Sequence, residues 1–226
     1  MYSFEMTRPA TIADAVAALG QDEAQALGGG QTLIPTLKQR LASPSVLVSL
    51  SGIAEMKGVC KTADGMLTIG GGTTHAVVAR EAGEFPALAA LADNIGDPAV
   101  RNRGTIGGSI ANNDPSACYP AAALGTGAVI KTNAREIAAD DYFQGMFATA
   151  LEDGEIVTEV RFPIPASAAY MKFEQPASRF ALVGVFVAKF ADHVRVAVTG
   201  ASENGVFRWS EAEAALGATF SADAVA

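Results

Sequence analysis

The chain has 226 residues, half of them hydrophobic, and 16 basic against 24 acidic side chains give a formal net charge of −8. That length can bury the core of one large domain or two smaller ones. The absence of a concentrated Lys/Arg cluster argues against nucleic acid or an anionic membrane as the main partner.

No apolar run reaches the roughly 18 residues of a spanning helix. The start, Met-Tyr-Ser-Phe-Glu, has neither the basic residues nor the apolar stretch of a signal peptide. Two cysteines, Cys60 and Cys118, cannot form a four-cysteine iron–sulfur site and make a disulfide framework improbable, which fits a reducing cytoplasm. His75 and His193 lie far apart, so a zinc site would be unusual.

Along the chain, Thr11 is placed to N-cap a helix with apolar positions at Ile12, Ala15, Val16 and Leu19, ended by Gly20. A strand over Ala24–Leu27 runs into Gly28-Gly29-Gly30-Gln31-Thr32. A helix follows with Leu33, Ile34, Leu37 and Leu41 on one face, and Pro35 fits in its first turn. With the β-branched strand over Val46–Leu50 this makes a compact β–turn–α–β unit. The pattern changes near Gly52. A strand over Met66–Ile69 leads through Gly70-Gly71-Gly72 to a helix capped by Thr73 or Thr74, and an alanine-rich helix over Phe85–Asn94 ends at Gly96 and Asp97-Pro98. Strands are predicted over Ala128–Thr132 and Ile156–Phe162, and Phe162-Pro163-Ile164-Pro165 reads as a boundary. Beyond it, Tyr170–Phe173, Ala181–Phe190 and Val194–Thr199 read as a separate antiparallel sheet, followed by a helix over Glu211–Leu216 that ends at Gly217. The mixture predicts an α+β fold in two or three small units.

Three glycine turns, Gly28–Thr32, Gly70–Thr74 and Gly104–Ser109, have the character of strand-to-helix turns that could bind phosphate. Glycine allows close backbone approach, and the helix that follows presents unpaired N–H groups. None continues into Gly-Lys-Ser/Thr, and none has the Rossmann spacing. Each alone also reads as a tight turn that lets a helix pack against a strand. The turn at Gly70 is assigned that packing role, with His75 a first-turn helix residue and not a ligand. The stretch from Asp97 to Pro115 has few large apolar anchors and reads as a long irregular segment, ordered and functional.

Gly28-Gly29-Gly30-Gln31-Thr32-Leu33 is followed about 75 residues later by Arg101-x-x-Gly104-Thr105-Ile106-Gly107-Gly108-Ser109. Together with Asp114-Pro115, Tyr142-Phe143, Phe162-Pro163 and Gln175-Pro176-Ala177-Ser178-Arg179-Phe180, this pairing resembles the FAD-binding medium subunits of molybdenum hydroxylases, in order along nearly the whole chain. The resemblance implies the vanillyl-alcohol-oxidase and p-cresol-methylhydroxylase type of FAD fold. Residues 1–165 would form the FAD-binding domain, with subdomains of about 1–52 and 53–165, and residues 166–226 a C-terminal α+β domain.

Carried over from the family, Leu27, Gly28, Gly29, Gly30, Gln31, Thr32, Leu33 and Ile34 and the second turn Thr105, Ile106, Gly107, Gly108 and Ser109 would clasp the pyrophosphate. Ile95 and Val157 would line the FAD, and Lys172 and Phe180 would lie near the flavin ring. Two neutral turns would supply the many N–H donors that a pyrophosphate needs without a required lysine. The family commonly has an acidic residue where this chain has Cys118, so Asp114 would serve in its place or that part of the grip is altered; Cys118 itself reads as a small buried thiol. Family members also continue beyond the position of Ala226, which implies a truncated or shortened C-terminal unit.

No acid–base pair or nucleophile constellation stands out, and Arg101 and Arg103 read as turn-stabilising or interface residues. The resemblance implies an electron-transfer subunit that does not turn over substrate alone. A large subunit would hold the molybdenum cofactor and a small one two [2Fe–2S] clusters, assembled as a dimer of heterotrimers. A free-standing flavin oxidoreductase of the same fold and a phosphate- or nucleotide-binding module are the alternatives.

Overall fold

The computed structural model describes residues 1–226. The chain opens with β1 (Glu5–Thr7), α1 (Ile12–Leu19), β2 (Ala24–Leu27), α2 (Leu33–Lys38) and β3 (Val46–Ser49). The Thr11 hydroxyl accepts the Asp14 N–H at 3.1 Å, so α1 begins where its capping residue predicts. β3 lies between β1 and β2 and is parallel to both. All four of its residues are buried, as a strand covered on both faces requires. Val46 and Val48 pack with Ala15 of α1, and Leu47 packs with Leu37 of α2, following the two-residue period of a strand. α2 stops at Lys38, so Leu41, expected on its apolar face, lies beyond it and is 73% exposed.

The second region contains β4 (Val59–Lys61), β5 (Met66–Gly70), α3 (His75–Glu81), α4 (Pro86–Asp93), α5 (Pro98–Arg101), α6 (Ile106–Asn112) and α7 (Cys118–Thr126). It continues through β6 (Val129–Thr132), β7 (Glu136–Ala138), α8 (Ala139–Tyr142), the hairpin β8 (Phe143–Gly145) and β9 (Ala148–Thr149), and β10 (Val157–Pro163). An antiparallel sheet in the order β4-β5-β10-β6-β7 carries the helices.

The stretch expected to be irregular is instead two short helices. Asp97 caps α5 by accepting the Val100 N–H at 2.9 Å, and Thr105 caps α6 by accepting the Gly108 N–H at 3.1 Å. Residues that looked like loop formers are therefore helix caps. The third glycine turn joins helix to helix, not strand to helix. Every residue of α7 is buried.

The final region is an antiparallel sheet of β11 (Ser167–Glu174), β12 (Ala181–Lys189), β13 (Val194–Thr199) and β14 (Phe207–Arg208), backed by α9 (Ser210–Ala218). α9 runs through Gly217, where the sequence suggested a stop, and ends one residue later. No hydrogen-bonded strand pair joins this sheet to the others, but the core does. A cluster of 28 buried residues runs from Leu67 and Ile69 through α7 to Phe186, Ala188 and Ala197. Gly125 lets α7 approach, because a Cβ there would stand 3.0 Å from the Phe186 ring and 3.4 Å from Ala197. Arg195 donates to the Leu124 carbonyl at the end of α7 and to Asp140 of α8.

Candidate functional site

The three glycine turns meet in space. A Cβ on Gly28 would stand 3.1 Å from the Thr105 hydroxyl, and one on Gly29 would strike the Arg103 carbonyl oxygen and lie 2.6 Å from the Gly104 Cα. Gly30 has φ +74, the left-handed region that glycine enters without penalty. On its other side the second turn rests on the Gly70 turn: the Gly107 N–H donates to the Gly71 carbonyl at 2.9 Å, and Ile106 to Thr73 at 3.1 Å. The Gly70 turn does serve packing, as expected. It is also part of the site, because Gly71 and Gly72 line the cleft that the turns enclose.

That cleft has a volume of ≈ 560 Å³, within the range of small-molecule sites. Leu27, Gly28, Gly29, Gly30, Gln31, Thr32 and Leu33 line it, as do Thr105, Gly107, Gly108 and Ser109, together with Ile95, Asp114, Cys118, Val157 and Phe180. Three expected residues do not. Ile106 is fully buried in the core, Ile34 sits behind Gly30, and Lys172 is turned to backbone carbonyls. His75, Ser116, Ala117 and Arg179 line the cleft and were not expected to.

The donors are unevenly shared. The N–H groups of Gly28, Gly29, Gly30, Gln31 and Thr32 donate to no protein acceptor. Those of Ile106, Gly107, Gly108 and Ser109 donate to Thr73, Gly71, the Thr105 hydroxyl and Thr105, respectively. These four amides of the second turn are thus spent within the protein, while those of the first are free. A further set comes from α7, which begins at the cleft wall with no side-chain cap. Asp114 builds the turn leading into it, accepting Ser116 N–H on Oδ1 at 2.8 Å and Ala117 N–H on its carbonyl at 2.9 Å.

Cys118, the first residue of α7, is a buried free thiol. Burial pushes its pKa up, opposed by the Tyr170 hydroxyl and the Lys172 charge. His75 is the first residue of α3, as expected. Its N–H donates to the Gly104 carbonyl at 3.0 Å, its ring lies 5.3 Å from that of Tyr119, and Nδ1 has no partner. Burial, then the charge of Arg101, lowers its pKa to about 4, so the imidazole is neutral. Arg101 stabilises a turn, donating to the Ile95 and Gly96 carbonyls at 3.3 and 3.0 Å.

Residues 2–165 match the family model described as the FAD binding domain in molybdopterin dehydrogenase. The chain belongs to that family. It is 37% identical to the carbon monoxide dehydrogenase medium chain of Afipia carboxidovorans, over 82% of this chain and 68% of that one. It is 34% identical to the nicotine 6-hydroxylase medium subunit of Paenarthrobacter nicotinovorans, over 85% of this chain and 73% of that one. In three dimensions it superposes on a chain of carbon monoxide dehydrogenase from Hydrogenophaga pseudoflava with a TM-score of 0.90 and 34% identity, covering 99% of this chain and 84% of that one.

The chain is thus an FAD-binding oxidoreductase subunit of the medium type. The cleft fits such a cofactor on its own chemistry. Five consecutive free amides on the Gly28–Thr32 turn suit a pyrophosphate, and the apolar Leu27, Leu33, Ile95 and Val157 suit the flat ring systems. No helix is long and apolar enough to cross a membrane.

Proposed function

We propose that this chain is the electron-transfer flavoprotein of a cytoplasmic molybdenum hydroxylase, working beside a large molybdopterin-binding subunit and a small iron–sulfur subunit in a dimer of heterotrimers. When bound, FAD supplies the redox chemistry, taking electrons from the [2Fe–2S] clusters of the small subunit and releasing them to an external acceptor. Gly28, Gly29, Gly30, Gln31 and Thr32 would hold the pyrophosphate through their amides. The α7 N-terminus and Asp114 would face its polar middle, Ile95 and Val157 its ring systems, and Phe180 the flavin end. Residues 1–165 would act as the FAD-binding domain, as two subdomains divided near residue 52, with residues 166–226 closing one end of the cleft.

The observation that carries this proposal is the row of five unpartnered amides on the first turn, facing a cleft closed by the second. The carboxylates in the cleft already have structural work: Asp114 holds its turn, and Glu155 binds Arg135 at 2.9 Å and Thr132 at 3.0 Å. That supports electron transfer over acid–base turnover of a substrate by this chain alone. The test is made on the purified assembly. Removing this subunit is expected to abolish reduction of the external acceptor, while substrate still reduces the iron–sulfur clusters. Undiminished acceptor reduction without this subunit would refute the proposal.

A further inference from the structure

The β8–β9 hairpin turns at Met146 and Phe147, and both side chains stand in solvent, 51% and 57% exposed. Phe147 has φ +56, in the left-handed region that a turn ordinarily gives to glycine or asparagine. A bulky aromatic there costs backbone strain, and a half-exposed ring recovers little of it by burial.

The turn is nonetheless fixed from inside. Asn113, itself left-handed at φ +42 and only 1% exposed, caps the end of α6. Its Nδ2 donates to the Gly145 and Ala148 carbonyls, both at 2.8 Å, and its own carbonyl accepts the Phe147 N–H at 3.1 Å. Three hydrogen bonds therefore hold Met146 and Phe147 at a set place, as a loose loop tip would not be held.

That place is the rim of the cleft, which the neighbouring Asn112, Asp114 and Ser116 line. At the other end of this segment the Ser116 carbonyl accepts the Ala181 N–H at 3.4 Å, between Phe180 and Leu182, each 48% exposed. Large exposed apolar side chains thus stand at both ends of Asn113–Ser116, and Phe180 marks the end of the cleft assigned above to the flavin. The local amides are already bonded: Ser116 and Ala117 to Asp114, Phe147 to Asn113, Ala181 to Ser116 and Gly200 to Pro115. The rim offers apolar surface in place of a phosphate cradle. Four side chains fall far short of the roughly 800 Å² per partner of a stable protein–protein interface. They suit a small planar ring.

We propose that this rim docks the external electron acceptor, and that the acceptor is an apolar quinone whose ring packs on Met146 and Phe147 beside the flavin end. The inference rests on the FAD reading above and adds the acceptor's chemical class to it. The quinone takes two electrons and two protons from fully reduced FAD and leaves as the quinol, and FAD returns to its oxidised form.

The FAD-loaded chain and its Met146→Gln and Phe147→Asn variants are photoreduced without oxygen and mixed with decylbenzoquinone, ferricyanide or NAD. Return of the oxidised flavin absorbance is followed by stopped flow. Asparagine accepts the left-handed backbone at 147, and ferricyanide, a hydrophilic anion, needs no apolar contact. The ratio of the quinone to the ferricyanide rate constant is expected to fall at least about tenfold in each variant, and quinone should reoxidise the wild-type chain faster than NAD. An unchanged ratio in either variant, or faster reoxidation by NAD, would overturn the proposal. A chain that retains no flavin absorbance fails the FAD reading itself, whereas normal flavin with an unchanged ratio sinks only the acceptor assignment. A variant that does not fold is replaced by Met146→Thr or Phe147→Gly and judged in the same way; if the replacement also fails to fold, the tip is structural and the proposal is wrong.

Discussion

The Gly107 N–H donates to the Gly71 carbonyl at 2.9 Å, and a Cβ on Gly107 would stand 2.6 Å from that same oxygen. Gly107 is therefore needed for one turn to rest on another. Gly107→Ala is expected to cost roughly 1–3 kcal/mol of stability by overpacking and to weaken FAD binding by displacing the second turn. Gly83→Ala is the control: no atom lies within 4 Å of the added Cβ, and stability should hold or rise slightly. Urea denaturation and FAD titration of both variants check this, and equal behaviour of the two would contradict it.

His75 gives a pH dependence with a definite sign. Burial, followed by the charge of Arg101, lowers its pKa from 6.5 to about 4 in the folded chain. The unfolded chain takes up this proton first, so stability falls as pH drops from about 6.5 toward about 4 and levels off below. The full effect is about 3 kcal/mol. Urea midpoints of wild type and His75→Gln, compared between pH 7 and pH 4, should show this part of the slope in the wild type only. Parallel slopes would count against a buried neutral His75.

The two cysteines differ in access. Cys60 is exposed, and Cys118 is buried in the cleft wall with its thiol pKa raised by burial. A neutral alkylating reagent should label Cys60 at the same rate with or without FAD. Labelling of Cys118 should be slow and slower still with FAD present. Peptide mass spectrometry separates the two sites, and indifference of Cys118 to FAD would place the cofactor elsewhere.

Phe186 ties the C-terminal sheet to the rest of the molecule. It is fully buried, with its ring 6.1 Å from Phe85 and 6.3 Å from Tyr170. Phe186→Ala should destabilise the whole chain by about 3–5 kcal/mol, seen as one shifted unfolding transition. Selective loss of residues 166–226, with the remainder at wild-type stability, would show the two parts to be independent.

Elements with a local signature were legible in the sequence. The Thr11 cap, the strand at Ala24–Leu27 and the strands of the C-terminal sheet announce themselves by capping chemistry, by period or by runs rich in β-branched residues. α7 does not, because with all nine residues buried it has no polar face and hence no helical period. α5 and α6 were hidden because helices of four and seven residues are too short to show a clear period, and their caps, Asp97 and Thr105, look like loop residues.

At the site, the glycines pointed to turns that meet around one cleft, but not to which of their amides are free. That the second turn spends its amides on Gly71 and Thr73 depends on a partner turn more than 30 residues away, and no local pattern encodes it. Lys172 likewise came with a family role, yet what it holds, the Asn94 and Arg179 carbonyls, is set by how β11 docks on α4.

The most direct test of the FAD cleft is titration of the deflavinated chain with FAD, beside its Gly29→Ala variant, followed by quenching of flavin fluorescence. A Cβ on Gly29 would strike the Arg103 carbonyl and lie 2.6 Å from Gly104, pushing the first turn and its free amides out of place. The wild-type chain should bind one FAD saturably, and Gly29→Ala should remain folded but bind at least about tenfold more weakly. Saturable binding of equal strength in both would contradict the cleft as the site, and a folded wild-type chain that binds no FAD would contradict the function itself.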